Sequence, residues 1–221
     1  YKNIECGANL IATEKGIDSD VIITAEHCIF DTISEDSNNT LETNVPSETT
    51  ITLETTTLET NTQKQPYTIA DWNVLNINID GVKKPTIHYL TRNIIKLFDE
   101  LPLFLECNKV VIENQPCMKN PVMKSIQMIV YSYFSIRGLT DNKTTSEIVL
   151  MSASNKMKVY EGPPIELAVK SKYTRNKKLA ILHTQYILKD VEKLEFFNTH
   201  KKKDDLADAY LQGIYVLKSK V

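Results

Sequence analysis

From Tyr67 onward the apolar residues fall into alternating blocks of strand and helix periodicity. Val110, Val111 and Ile112 form a β-branched apolar run, which predicts a short buried strand ending on Glu113. Asn114, Gln115 and Pro116 break it. Val122, Ile126, Ile129, Val130 and Tyr133 then recur at helical spacing and predict a helix of about four to five turns, and Ile148 to Met151 reads as a second compact strand. Strand, helix, strand at this spacing predicts a βαβ crossover with parallel pairing and a right-handed connection. Upstream, Asp71 to Ile77 alternates apolar and polar residues, the pattern of a half-buried strand closed by Asp80-Gly81. Ile87, Leu90, Ile94, Phe98 and Leu101 predict an amphipathic helix that stops before Pro102. Downstream, Leu179, Leu182, Tyr186 and Ile187 mark another helix. A last one runs from about Asp204 to Lys218, with Ala207, Tyr210, Ile214 and Leu217 on its inner face.

The first third reads differently. Ile4, Leu10 and Ile11 flank a Gly7 turn and suggest two short strands, and Val21 to Phe30 suggests a third. Residues 34–65 carry the near-repeats TLETN, TLETT and TLETN beginning at Thr40, Thr52 and Thr57, with no aromatic residue and no helical period. Such material buries too little apolar surface to offset its ordering entropy and is expected to be a flexible acidic, Thr-rich insertion. The expected organisation is thus N-terminal strands in 1–33, the insertion in 34–65 and the main α/β domain in 66–221.

Composition supports a real core: 42% of the 221 residues are hydrophobic. No apolar run approaches the length of a membrane span. The chain begins at Tyr1 without a methionine or a charged-then-apolar leader, so it is expected to be a fragment or processed form, and its start gives no address. Cys6, Cys28, Cys107 and Cys117 lie apart, without CxxC pairs, and are expected to be reduced, buried structural thiols in an intracellular compartment. His27 and Cys28 with Cys6 lack a fourth ligand and the paired spacing of a zinc site. The net charge of −2 hides an asymmetry. Seven acids stand against Lys64 between Asp31 and Gln65, whereas Lys143 to Lys203 holds thirteen Lys or Arg against six Asp or Glu. The second region reads either as a solvated lysine-rich surface or as a face for phosphate backbones.

Two constellations carry candidate chemistry. Glu113 stands at the carboxyl end of a buried strand, where open α/β sheets place their ligands, although a strand-end acid is also often only solvated. Asp205 and Asp208, in the run Lys203-Asp-Asp-Leu-Ala-Asp-Ala209, are three apart on a helix and emerge on one face about 60° apart. Like charges held that close raise each other's pKa unless a cation lies between them. A hard divalent ion with oxygen ligands meets that need. Acids in a first helical turn are equally favoured by the macrodipole alone.

Taken in order, Val111-Ile-Glu-Asn-Gln-Pro116, Lys119-Asn-Pro-Val-Met-Lys124, Ser152-Ala-Ser-Asn-Lys-Met-Lys158, Tyr173-Thr-Arg-Asn-Lys-Lys178 and Lys203-Asp-Asp-Leu-Ala-Asp-Ala209 resemble the RuvC-like Holliday junction resolvases of the poxvirus and giant-virus type, with fungal mitochondrial resolvases as cousins. The resemblance runs from about Asp71 to Val221, roughly two-thirds of the chain. It implies an RNase H-like fold, a mixed β-sheet flanked by helices, acting as a homodimer that nicks four-way DNA junctions with Mg²⁺, or Mn²⁺ in its place. It also implies four metal-binding catalytic acids, of which three fall on Glu113, Asp205 and Asp208. Where the family has an aspartate on its first strand, this chain offers Glu5 in Ile4-Glu-Cys-Gly-Ala-Asn-Leu10, with one residue fewer before Asn9. Either Glu5 is the first ligand or that strand lies upstream of Tyr1.

Under the same resemblance Lys170, Lys172, Arg175, Lys177 and Lys178 would bind backbone phosphates, and Tyr173 would stack on a base or pack. The expected setting is a viral replication site in host cytoplasm, with the mitochondrion as the alternative. Three functions follow: a structure-selective endonuclease, a catalytically impaired junction-binding homologue, and an RNase H-like nuclease for RNA–DNA hybrids.

Overall fold

The computed structural model describes residues 20–22, 67, 69–118 and 120–219. The two expected strands before Thr13, most of Val21 to Phe30, the Thr-rich stretch, Glu5, Cys6, His27 and Cys28 lie outside the described residues.

Among the described residues three parallel strands form a sheet, in the order β1 (Asp20–Ile22), β2 (Lys109–Glu113), β3 (Glu147–Met151). Val21 pairs with Val110, and Val110 with Ile148. Helix α1 spans Ile87–Asp99 and α2 Pro121–Phe134, the latter running on as a π-helical stretch over Ser135–Asn142. After β3, a short 3-10 helix, Ala153–Val159, leads towards α3 (Lys172–Ile187), α4 (Val191–Thr199) and α5 (Lys203–Lys218). The helix–strand alternation thus matches the periodicity from α1 to β3, and the crossover strands pair in parallel as expected. Local signals fix the starts: the side chains of Thr86, Asn120, Ser171 and Asp190 cap α1 to α4, and Pro121 occupies the first turn of α2.

Alternation along β2 sorts the layers. Val110 and Ile112 face α1 and α2, where Leu90, Ile94, Phe98, Met123, Ile126 and Phe134 complete one core cluster. Val111 faces the other way and packs with Met151 and Val216 beneath α5. Outside α5, a further cluster joins Trp72, Ala180, Phe197, Leu206, Tyr210 and Leu211. Helix α5 is therefore covered on both sides, and every residue from Asp205 to Ile214 is buried.

Three expectations need correction. Among the described residues Asp71 to Ile77 forms no strand beyond a single bridge at Leu75, and its polar groups are used locally and in tertiary contacts. Asp71 Oδ1 accepts from the Trp72 N–H, Asn76 Oδ1 accepts from the Asn78 N–H, and the Trp72 indole donates to the Leu206 carbonyl at 3.1 Å. Helix α4 was not expected; its apolar residues form no clear stripe, and it is held by the Asp190 cap and by Phe197, which stacks on Trp72 at 5.4 Å. Cys107 is buried as expected of a structural thiol, but Cys117 is exposed, in the turn that follows β2.

Candidate functional site

Glu113 shares the parity of Val111 on β2, so its side chain also projects towards α5. It is 4% exposed. Its carboxylate is held from both directions: Gln115 Nε2 donates to Oε1 at 3.0 Å and Gln212 Nε2, from α5, donates to Oε2. The turn behind it is also pinned. Gln127 Oε1, buried on α2, accepts from the Gln115 backbone N–H at 2.8 Å and from Lys124 Nζ at 3.0 Å, and the Asn114 N–H continues the ladder to the Met151 carbonyl at 2.7 Å. The strand-end acid is therefore rigidly positioned, not solvated.

On α5 the residues Asp205, Asp208 and Gln212 fall at spacings of three and four and form one polar stripe on a helix otherwise lined by apolar residues. Since Gln212 reaches Glu113, this stripe is the one turned towards the end of β2. Asp205 is 2% exposed, and its pKa is pushed up to about 7 by burial first and then by the charge of Asp204; Lys202 and Lys177 pull it down, and Asp208 adds a smaller push upwards. Asp208 is ion-paired with Lys156 through Oδ2, while its buried Oδ1 has no hydrogen-bond partner among the described residues. The buried Gln212 Oε1 is in the same condition. Asp204 turns away from this stripe and pairs with Lys177. Burial disfavours its charge, yet the lysine's hydrogen bond and charge bring its pKa below the usual carboxylate value.

Among the described residues, no three His, Cys, Asp or Glu side chains converge as a set that would hold one ion. What the fold brings together is Glu113 at the end of β2 and the polar stripe of α5, joined by the Gln212 amide that donates to Glu113, with Asp208 one turn before Gln212 and Asp205 one turn before Asp208. The donors are all oxygens, and two buried acceptors wait unused. That fits a hard cation of the Mg²⁺ type, which takes one or two carboxylates and completes its shell with water and substrate phosphate. Glu5 lies outside the described residues, so its distance from Glu113 is not defined.

The basic residues singled out from the sequence cluster at the start of α3. Lys170 precedes the Ser171 cap; Lys172, Arg175 and Lys178 are exposed in the first two turns, and Tyr173 is 58% exposed. Lys170, Lys172 and Arg175 border a cleft of about 360 Å³ with Val169, Asn176 and Leu179. Lys177 differs from its neighbours. It is half-buried, pairs with Asp204, and sits 5.1 Å from the centre of the Tyr173 ring. Burial works against its charge, but Asp204 and Tyr173 together raise its pKa. It thus ties the basic helix to the start of α5, whereas Lys170, Lys172, Arg175 and Lys178 are exposed.

Gln212, Gln115, Gln127 and Lys156 were missed from the sequence. Gln212 had a readable signal, since it extends the Asp205–Asp208 stripe by four residues. Lys156 stands in Ser152-Ala-Ser-Asn-Lys-Met-Lys158, where Lys158 is an equal choice by composition. The 3-10 geometry separates the two: residues three apart eclipse, so Lys156 lines up with Ala153 and buried Val159 and points inward, whereas Lys158 is exposed.

No protein-family model matches the chain. An alignment of 148 positions that covers 62% of the chain is 42% identical to Uncharacterized protein L451 of Acanthamoeba polyphaga mimivirus. The match takes in 36% of that protein, so the chain spans about a third of the length of the curated relative it matches. Among solved structures, the crystal structure of the yeast mitochondrial Holliday junction resolvase Ydc2 aligns with 95% of this chain and 77% of that one, at 14% identity and a TM-score of 0.41. At that score the likeness fixes neither fold nor activity.

Proposed function

We propose that the chain is a structure-selective DNA endonuclease that resolves four-way junctions by metal-assisted phosphodiester hydrolysis on an RNase H-like scaffold, working as a homodimer. The observation that carries this reading is buried Glu113 at the end of β2, held by Gln212 of α5, on the same helix stripe that carries buried Asp208 one turn earlier. The ordered motifs that resemble junction resolvases give the site its substrate class. Glu113 and Asp208, with Asp205 and Glu5 as further ligands, would hold Mg²⁺ or Mn²⁺. Such ions, when bound, neutralise the phosphodiester's charge and activate water.

The chain's own residues do the rest. Gln115 and Gln212 fix both oxygens of Glu113, so the carboxylate is oriented before any ligand arrives. Lys170, Lys172, Arg175 and Lys178 present an exposed basic edge for backbone phosphates, which favours recognition of branch shape over base sequence. Tyr173 offers an exposed ring for stacking on an unpaired base.

Incubation with a mobile four-way junction and Mg²⁺ is expected to give paired symmetric nicks. Preferential cutting of an RNA–DNA hybrid would replace the reading with the RNase H-like one. A second reading, a junction-binding homologue without catalysis, is favoured by a specific observation: Lys156 already neutralises Asp208, and no three ligating side chains converge among the described residues. Tight junction binding without nicks in Mg²⁺ or Mn²⁺ would select it.

A further inference from the structure

Lys156 is a cation seated on the α5 stripe. It reaches Asp208 from the 3-10 helix after β3, and the side chains are 14% and 5% exposed, so the pair is desolvated. Lys156 thus occupies one oxygen of a carboxylate whose other oxygen, Oδ1, is buried without a hydrogen-bond partner among the described residues. An ammonium and a divalent cation that draw on the same carboxylate compete, because each neutralises the charge that attracts the other.

We infer that Lys156 is a built-in counter-ion for the metal site, which the incoming ion displaces from Asp208, and that its released ammonium then serves a substrate phosphate. The inference rests on the metal-dependent reading above. It makes Lys156 a positioning residue that links two binding events. Metal alone binds weakly, since the lysine must leave a buried partner without gaining another. Metal together with a phosphodiester binds more tightly, since the displaced ammonium acquires a new anion. By linkage, the two ligands strengthen each other by the same factor.

The chemistry of the pair makes the idea separable from a structural role. Removing Lys156 leaves Asp208 as a buried, uncompensated carboxylate, which destabilises the metal-free fold. A divalent ion should repair that defect, whereas a purely structural lysine would leave a defect that no ion repairs. Lys156→Met keeps the length of the stem and Lys156→Gln keeps a polar end. Lys156→Met combined with Asp208→Asn removes both charges together.

The test is Mn²⁺ titration of the full chain without DNA, read by thermal shift and by calorimetry, then repeated with a short uncleavable phosphorothioate junction. The expected result is that Lys156→Met and Lys156→Gln melt lower than the parent without metal, bind Mn²⁺ alone about tenfold more tightly, and gain more melting temperature from it. The junction should tighten Mn²⁺ binding in the parent and have a smaller effect in both variants. The double variant should lose the gain. Equal or weaker Mn²⁺ binding in both single variants would overturn the inference and leave the metal reading intact. Absence of Mn²⁺ binding in parent and variants alike would overturn both.

Discussion

The two faces of β2 meet opposite environments. Val110 and Ile112 enter an apolar layer in which Phe98 touches Phe104, Tyr133 and Phe134 with ring centres 5.2 to 5.7 Å apart. Val111 and Glu113, on the other face, meet α5, where Asp205, Asp208 and Gln212 are buried along one stripe. The first face stabilises the fold in the ordinary way, by removing apolar surface from water. The second gives up stability, because buried carboxylates are costly unless paired, and apolar residues of similar volume would serve the fold as well or better. On the proposed function, that cost is carried by the α5 side of the sheet because it holds the metal-binding acids.

The contrast predicts a graded series of variants. Phe98→Ala on the apolar face should cost about 3–5 kcal/mol in urea unfolding, with no specific effect on metal response; a loss under about 1 kcal/mol would mean that this face is not the main source of stability. Asp205→Asn should act in the opposite direction. The native pKa of Asp205, about 7, lies above its ordinary 3.8, so the folded state holds a proton more tightly than the unfolded chain. Its cost is fully present above pH 7 and fades as pH falls towards 4. The metal-free Asn variant should therefore be more stable than the parent at pH 8.5, by at most about 4 kcal/mol, and indistinguishable near pH 4. A difference that does not vary with pH would contradict the assigned burial.

Gln212→Leu should cost about 1–2 kcal/mol, since Glu113 loses a donor while an unpartnered amide oxygen is removed as well. It should also weaken Mn²⁺ binding, measured by calorimetry. The smallest effect belongs to a buried group away from the stripe. His183 stacks on Tyr160 at 4.0 Å, and burial lowers its pKa from 6.5. The unfolded chain then binds its proton more readily, so stability declines as pH drops below 6.5. His183→Phe should keep the stack and flatten that decline. An unchanged slope between pH 7 and 5 would show that His183 does not contribute.

Much of this division was legible before the structure. The periodicity of α1, α2, β2 and α5 is strong because each buries a continuous face, and the strand-end position of Glu113 and the three-residue spacing of Asp205 and Asp208 follow from it, whereas β3 is legible from its β-branched run although only Met151 in it is buried. Asp71 to Ile77 misled because alternation reports half-burial, not ladder pairing; Trp72 is buried by a hydrogen bond to α5 and by Phe197 instead. Helix α4 escaped because a helix anchored mainly by one aromatic residue has little period to read. The site's supporting residues were hidden for another reason. Gln212 meets Glu113 from 99 positions away, and a glutamine or lysine is chemically ordinary until tertiary packing buries it against a carboxylate.

The most direct test compares the parent chain with Glu113→Gln on a mobile four-way junction in Mg²⁺. Gln is nearly isosteric and leaves the fold in place, which far-ultraviolet circular dichroism and junction binding would verify. The account predicts symmetric nicking by the parent and binding without nicking by the variant. Nicking that persists in a folded Glu113→Gln protein would contradict it.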